Sequence, residues 1–314
     1  MNPVLAASLA VGSLLSATGC PMVEELVFGR ADVSLGDPLP VATARMVDHK
    51  LGLYLECHDS LVGPISDSYD RYAEIAGRGE LEPRRRQSLF LYRVTGGAFR
   101  ICTSVRAEVG GLAPPLEELD RISRSFIERA RAYADLSQTY GAHLEAPAGD
   151  RLATNAYHRA LLSAHSDWDN WREVFSAGIE VRQAANDGAL LEFVGREGGG
   201  EGLEYRSLAV LQGARRVASC AMREGGEADC RNETARFLVL SREFDAYHRA
   251  HLDEAEQVFW MRTFASDLPQ LRDSVVAYAE AGRVERGRAR RAAALARAYL
   301  VLRRDAVTLD FEFP

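Results

Sequence analysis

The chain has 314 residues, a formal net charge of −7 and 26 % charged residues, values that are ordinary for a globular protein. Its mildly acidic balance gives no reason to expect binding to nucleic acid, which favours a basic surface. After the first 20 residues, no stretch reaches the roughly 20 apolar residues that a membrane-spanning helix needs.

The segment Val4–Ala17 is almost uncharged and rich in Leu, Ala, Val and Ser. It is too short to cross a bilayer and has the length of a signal-peptide core. Small residues, then Gly19 and Cys20, follow it in a pattern that is typical of a bacterial lipobox. We therefore predict a lipoprotein signal peptide over 1–19 and acylation of Cys20. An ordinary cleaved signal and a buried N-terminal helix are the alternatives.

Acyl chains on Cys20 would hold the protein at a membrane essentially permanently. Residue 21 is Pro and not Asp, so nothing argues for retention at the inner membrane. The sequence thus predicts an outer-membrane lipoprotein of the cell envelope that faces the periplasm. Residues 20–40 have no sustained period and contain Gly29, Gly36, Pro38 and Pro40. That composition predicts a flexible tether between the membrane and the folded body.

The segment Leu51–Ala76 has the clearest helical pattern. Its apolar and aromatic positions alternate steps of four and three, so they form one seam along a helix. The seam consists of Leu51, Leu55, Val62, Ile65, Tyr69, Tyr72 and Ala76, with His58 in the remaining slot. Gly63-Pro64 interrupts the segment, and because proline removes a backbone donor we expect a kink or a short break there.

Later segments repeat this rhythm. We predict helices over 96–109, 116–144 and a following segment that begins near Asp150 and fades at Asn186-Asp187-Gly188. Further helices are predicted over 203–222, 232–264, 267–281 and 286–304. The prediction is an all-α protein: an elongated bundle of long antiparallel amphipathic helices over 41–314, with a kinked first helix. Any subdivision is placed near 195–202.

Four cysteines remain once Cys20 is set aside: Cys57, Cys102, Cys220 and Cys230. An even number in an exported protein indicates disulfides, and four cysteines allow three connectivities. We favour Cys57 with Cys102 and Cys220 with Cys230, while small buried thiols are the alternative. The spacing contains no C-x-x-C, so a zinc site is not expected.

The run Leu53-Tyr54-Leu55-Glu56-Cys57-His58-Asp59-Ser60, followed by Ser66-Asp67-Ser68-Tyr69-Asp70-Arg71-Tyr72, resembles the opening of the YiiG-like family of bacterial envelope lipoproteins. A second cysteine and a helix start with Pro-Pro followed by Glu-Leu are matched by Cys102 and Pro114–Leu119. The similarity covers Val41 to about Ala281. Because that family's domain has no known function, the resemblance implies a helical lipoprotein architecture and no activity.

The sequence contains candidates for a ligand pocket and for a metal site inside the predicted bundle. Tyr54, His58, Tyr69 and Tyr72 form the candidate ligand pocket, with hydrogen bonding and packing within a core as the simpler alternative. His248 and His251 share a helix face beside Asp253 and Glu254 and are metal candidates, but a histidine pair at the edge of the core is favoured. His158 and His165 are discounted in the same way, so no metal and no cofactor are predicted.

An arginine-rich face near the C-terminus consists of Arg283, Arg286, Arg288, Arg290 and Arg291. In an envelope protein this face could meet anionic lipid or polymer, and a solvated helix face is the alternative. No G-x-S-x-G, H-E-x-x-H or Walker sequence occurs. The function predicted is therefore a non-enzymatic, lipid-anchored protein that binds another envelope protein or polymer. A periplasmic binder of a small ligand or metal is the alternative.

Overall fold

The computed structural model describes residues 41–79, 81–82, 85, 88–145, 151–197, 202–222, 230–281, 285–307, 309 and 311. Within these residues the chain has nine α-helices and no strand, so the predicted all-α class is confirmed. The predicted signal peptide, Cys20 and the tether lie outside the described residues.

Nine helices follow a short 3-10 turn in the described part of the chain. A 3-10 turn at Val41–Thr43 leads into α1 (Ala44–Ala76). The remaining helices are α2 (Ala98–Val109), α3 (Glu117–Glu145), α4 (Arg151–Glu197), α5 (Leu203–Met222), α6 (Arg231–Ala250), α7 (Leu252–Gln257), α8 (Met261–Glu280) and α9 (Glu285–Val307).

Helix α1 buries most of the seam that its sequence predicts, including Leu51, Leu55, Ile65 and Tyr72. The helix is continuous through Pro64, so the chain has no break at that residue. A bend there stays a prediction. Helix α3 begins just after Pro114-Pro115 with acidic residues in its first turn, where they favour the positive end of the helix dipole.

The predicted end of a helix at Asn186-Asp187-Gly188 is wrong, because α4 continues to Glu197. Both polar side chains have partners from other segments. Asn186 Nδ2 donates to the carbonyl of Ala44 at 2.8 Å, and the carboxylate of Asp187 accepts from Arg215. Their side chains therefore do not compete with the helix for backbone groups, as such residues do in isolated sequences.

The predicted helix over 232–264 is also wrong, because three helices occupy this region. Helix α6 ends at Ala250, and α8 begins at Met261 after a residue with left-handed backbone, Trp260, at a φ of 66°. An α-helix cannot continue through such a dihedral. The predicted restart at 267–269 falls inside α8, which accommodates Pro269.

The chain divides into two compact units, and α1 and α4 each pass through both of them. Among the described residues, unit 1 comprises 56–106 and 116–179, and unit 2 comprises 41–55, 107–115 and 180–311. The division therefore crosses α1 and α4.

Unit 1 has an aromatic core. In it, α3 and α4 approach so closely at Gly178 that a Cβ there would lie 3.2 Å from Leu119 Cδ1. The disulfide Cys57–Cys102, with a Cα–Cα distance of 4.5 Å, joins α1 to α2. The largest fully buried side chains of this unit are Trp168, Tyr72, Tyr133, Tyr140, Phe126 and Phe175.

In unit 2, α5 packs against α6 and α9, and α9 packs against α8. Gly213 allows α5 to meet α6, since a Cβ there would lie 3.0 Å from Leu240 Cδ1. The disulfide Cys220–Cys230, with a Cα–Cα distance of 5.9 Å, closes the connection between these two helices. Both disulfides are the pairings that the sequence favours. The core includes Phe237, Phe244, Phe264, Leu271 and Leu295.

Candidate functional site

A buried chain of hydrogen bonds lies in unit 1 and centres on His158. Its Nε2 lies 2.8 Å from the carbonyl oxygen of Gly79, so this nitrogen must donate. In a neutral ring Nδ1 then accepts, and the hydroxyl of Tyr72 donates to it at 2.6 Å. The oxygen of Tyr72 is in turn within 3.2 Å of the hydroxyl of Tyr140. These partners therefore fix the tautomer of His158 and the direction in which the hydrogen bonds run, from Tyr140 through Tyr72 and His158 to the carbonyl of Gly79.

A second polar contact lies nearby on the same face of α1. Ser68 donates to the carbonyl of Tyr92, and its oxygen lies 3.2 Å from the hydroxyl of Tyr133. The ring of Tyr69 stacks on His165 with a centroid distance of 3.4 Å. The hydroxyl groups of Ser68, Tyr72 and Tyr133 thus have hydrogen-bond partners within this aromatic core.

His58 has a different environment. Its ring stacks with Phe126 at 5.8 Å and also contacts Phe175, while Nδ1 lies 2.8 Å from Asp59 Oδ1. The other nitrogen, Nε2, is buried and has no hydrogen-bond partner among the described residues. Burying a polar atom without a partner costs free energy, so this nitrogen is a place where a ligand could bind.

The candidate ligand pocket predicted from the sequence is thereby divided. Tyr54 is buried in unit 2, whereas His58, Tyr69 and Tyr72 belong to unit 1. Within unit 1 these three side chains have separate neighbours: phenylalanine rings, His165, and the Tyr140–His158 chain respectively.

The electrostatics of unit 1 favour neutral side chains. Burial raises the pKa of Tyr72, and the neighbouring hydroxyl of Tyr140 adds to this effect. Burial likewise raises the pKa of Tyr133 to about 12 and lowers the pKa of His165. These phenols therefore act as neutral hydrogen-bond donors, and none is prepared as a phenolate nucleophile.

A buried ionic network lies in unit 2, and sequence periodicity gives no sign of it. Arg215 donates to Asp187, and its Nε donates to the hydroxyl of Tyr299 at 3.1 Å. Tyr299 lies 3.3 Å from Glu180 Oε2, and Arg303 donates to the same carboxylate. The network thereby connects α4, α5 and α9 through two arginines and two carboxylates.

The charged groups of this network shift one another's pKa values. Burial alone would lower the pKa of Arg215, but Tyr299, Asp187 and Glu180 raise it above its usual value. Burial also raises the pKa of Asp48, on α1, to about 6, opposed by Arg215 and reinforced by Asp187. A carboxyl that titrates in this range links the stability of unit 2 to pH.

The metal candidates on α6 lie at its C-terminal end. His248 stacks on Phe244 at 5.7 Å, and His251 stacks on Tyr247 at 3.9 Å. His251 is exposed and caps the end of α6. Among the described residues, no group of three or more His, Cys, Asp or Glu side chains could hold a metal ion.

The arginine-rich face is partly engaged with α8. Arg288 lies over the ring of Tyr278 at 5.1 Å and donates to its hydroxyl, and Arg291 donates to the carbonyl of Ala277. Arg290 is exposed. The side chains of Arg283 and Arg286 lie outside the described residues.

Across the helices that the structure describes, none combines the length and apolar character needed to cross a membrane. Comparisons with protein-family models, with curated proteins and with solved structures found no match to this chain. The resemblance to the YiiG-like family therefore stays a prediction.

Proposed function

We propose that the protein is a non-enzymatic lipoprotein of the bacterial envelope, anchored through Cys20 and binding another envelope component. The observation that carries this proposal is the pairing of all four cysteines after Cys20, as Cys57–Cys102 and Cys220–Cys230. Disulfides of this kind persist in oxidising compartments such as the periplasm. They therefore support export, and the Gly19-Cys20 sequence supplies the reason for an anchor.

The interior of unit 1 supports a binding role over catalysis. His158, Tyr72 and Tyr140 hydrogen-bond to one another and to a backbone carbonyl, an arrangement that stabilises a core and leaves no activated nucleophile. The resemblance to the YiiG-like family is consistent with the same architecture. Within that architecture we expect antiparallel neighbouring helices and a bend in α1 at Pro64.

The proposal is tested by replacing the anchor residue. Cys20→Ala should release the protein from washed membranes into the soluble envelope fraction, whereas wild type stays with the membrane. The matched control is Ser266→Ala, which changes an exposed hydroxyl on α8. Membrane association that survives Cys20→Ala would refute the anchor.

A second candidate function, binding of a small ligand or metal, is favoured by the buried Nε2 of His58. Native mass spectrometry and elemental analysis of purified protein would test it. A bound molecule that is lost in His58→Phe would support this function, and an empty protein in both forms would exclude it.

A further inference from the structure

Two large aromatic side chains project into solvent between α7 and α8 of unit 2. Phe259 is 69 % exposed and Trp260 is 48 % exposed, and their rings meet edge to face at 5.3 Å. Leu252, at the start of α7, adds a third large apolar side chain that is 51 % exposed. Aromatic and apolar residues grouped in this way on a surface usually mark an interaction site.

The backbone holds the two rings at the tip of a turn. The amide of Met261 donates to the carbonyl of Val258 at 3.2 Å, which places Phe259 and Trp260 at the two central positions. Trp260 has a φ of 66° and a ψ of −1°, the conformation that glycine normally supplies at the second central position. A bulky residue in this conformation is rare, and such residues are concentrated at functional sites.

The same end of unit 2 receives the chain from the predicted tether. Arg45, in the first turn of α1, is bound to Glu204 at 2.8 Å. The amide of the neighbouring Leu203 donates to Glu254 at 3.2 Å, and Glu254 lies on α7. Only four residues lie between Glu254 and Phe259, so the two Cα atoms are at most about 18 Å apart. The exposed rings are therefore close to the place where the polypeptide arrives from Cys20.

The tether is short enough to keep this end near a bilayer. Twenty residues separate Cys20 from Val41, and a flexible chain of that length has an end-to-end distance of roughly 25 Å. We propose that Phe259 and Trp260 insert into the interface of the phospholipid bilayer to which Cys20 is anchored, forming a second membrane contact. This inference rests on the proposed lipid anchor.

The chemistry of the turn and its surroundings selects the kind of lipid surface. Tryptophan and phenylalanine suit the boundary between headgroups and acyl chains, because that region is apolar on one side and hydrated on the other. The residues that flank the tip in sequence are acidic on balance, with Asp253, Glu254 and Glu256 on α7 and Arg262 on α8. This acidic excess gives no attraction to anionic headgroups, so a zwitterionic phospholipid surface fits best.

The test uses the acylated full-length protein in vesicles of phosphatidylcholine and phosphatidylethanolamine with brominated acyl chains, which quench nearby tryptophan fluorescence. The chain has three tryptophans, of which Trp168 is fully buried. We expect bromolipid quenching in wild type and loss of that quenching in Trp260→Phe. Equal quenching in the two proteins, or none in either, would overturn the proposal even though the anchor is intact.

A second measurement separates this contact from the anchor. The full-length Cys20→Ala protein should sediment with the same vesicles weakly, and adding Phe259→Ser and Trp260→Ser should weaken that binding at least about tenfold. The control pair, Val239→Ser and Leu300→Ser, changes exposed side chains of α6 and α9 and should have no effect. If the wild-type protein carries no acyl group, the proposed anchor at Cys20 is wrong. The vesicle sedimentation of the Cys20→Ala protein still tests the contact made by Phe259 and Trp260.

Sedimentation equilibrium without lipid tests whether Phe259 and Trp260 instead contact a second copy of the chain. A dimer that dissociates on Phe259→Ser, together with absent quenching by bromolipid, would contradict the membrane contact. A monomer that shows quenching dependent on Trp260 would support it.

Discussion

Nδ1 of His158 lies 2.6 Å from the hydroxyl of Tyr72, and both side chains are buried in unit 1. Tyr72→Phe removes the hydroxyl that donates to this nitrogen and leaves a buried acceptor without that hydrogen bond. We expect a loss of about 1–3 kcal/mol in the free energy of unfolding, measured by denaturant titration. The matched control is Tyr157→Phe, because Tyr157 is half-buried and stacks on Tyr140 in the same aromatic cluster. An equal loss in the control would show that the hydrogen bond to His158 contributes nothing special.

The two disulfides should differ in their effect because they close loops of different length. Cys57 and Cys102 are 45 residues apart, and Cys220 and Cys230 are 10 apart. Loop-closure entropy gives about 4 kcal/mol for the first and about 3 kcal/mol for the second. We expect the corresponding double alanine variants to lose stability in that order under oxidising conditions. If wild type in reductant is as stable as wild type without it, the bridges do not stabilise the fold.

Arg215 should be far more sensitive to substitution than an arginine on the surface. Its guanidinium is buried and bound to Asp187 and Tyr299, so Arg215→Ala leaves a buried carboxylate without its partner. Such changes cost about 3–5 kcal/mol. The control is Arg196→Ala, which breaks an exposed pair with Glu192 on α4 and should cost less than about 1 kcal/mol. Similar losses in the two variants, read from chemical denaturation, would contradict the network.

Asp48 should make the protein less stable as the pH rises. Its pKa in the folded protein is about 6, above the ordinary 3.8, mainly because of burial. A raised carboxyl pKa means that the folded state binds the proton more tightly, so stability is full below about pH 4 and falls as pH rises through 6. The expected loss is on the order of 2 kcal/mol.

The variant Asp48→Asn should remove this slope between pH 4 and pH 7, with thermal or denaturant unfolding measured at each pH. Asp273→Asn changes an exposed carboxyl of α8 in the same unit and should leave the slope as in wild type. A slope that persists in Asp48→Asn would assign the pH dependence to another group, such as Asp305, whose pKa burial and Asp267 also raise to about 6.

Local periodicity was sufficient to predict the parts of the fold that depend on apolar burial. The seam of α1 and the start of α3 after Pro115 both follow from the sequence pattern. The favoured cysteine pairing is also confirmed, although the cysteine count alone allows three connectivities. In these cases the determining interactions are repeated along one helix.

Interactions between distant residues could not be read from that spacing. Nζ of Lys50 is within 3.5 Å of the carbonyls of Leu112 and Pro114, more than 60 residues away in sequence, and the lysine is buried as a result. Arg215 and Asp187 are another such pair. The interruption at Trp260 has the same character, because a left-handed residue other than glycine leaves no signal in a hydrophobic pattern.

The candidate site was only partly accessible from the sequence. The positions of His58, Tyr69 and Tyr72 on one buried face of α1 were predictable from their spacing. Their separation into different sets of neighbours was not, because Phe126, His158 and His165 come from α3 and α4. Recognising a shared pocket requires knowing which helices meet, and single-helix periodicity does not contain that information.

The other proposals depend on the one that this protein is exported and anchored by lipid at Cys20. Intact-mass and N-terminal peptide mass spectrometry of protein isolated from its native envelope tests the claim most directly. A lipid anchor predicts a mature chain that begins at Cys20 and carries the added mass of acyl groups on that residue. A chain that still begins at Met1, with Cys20 unmodified, would contradict it.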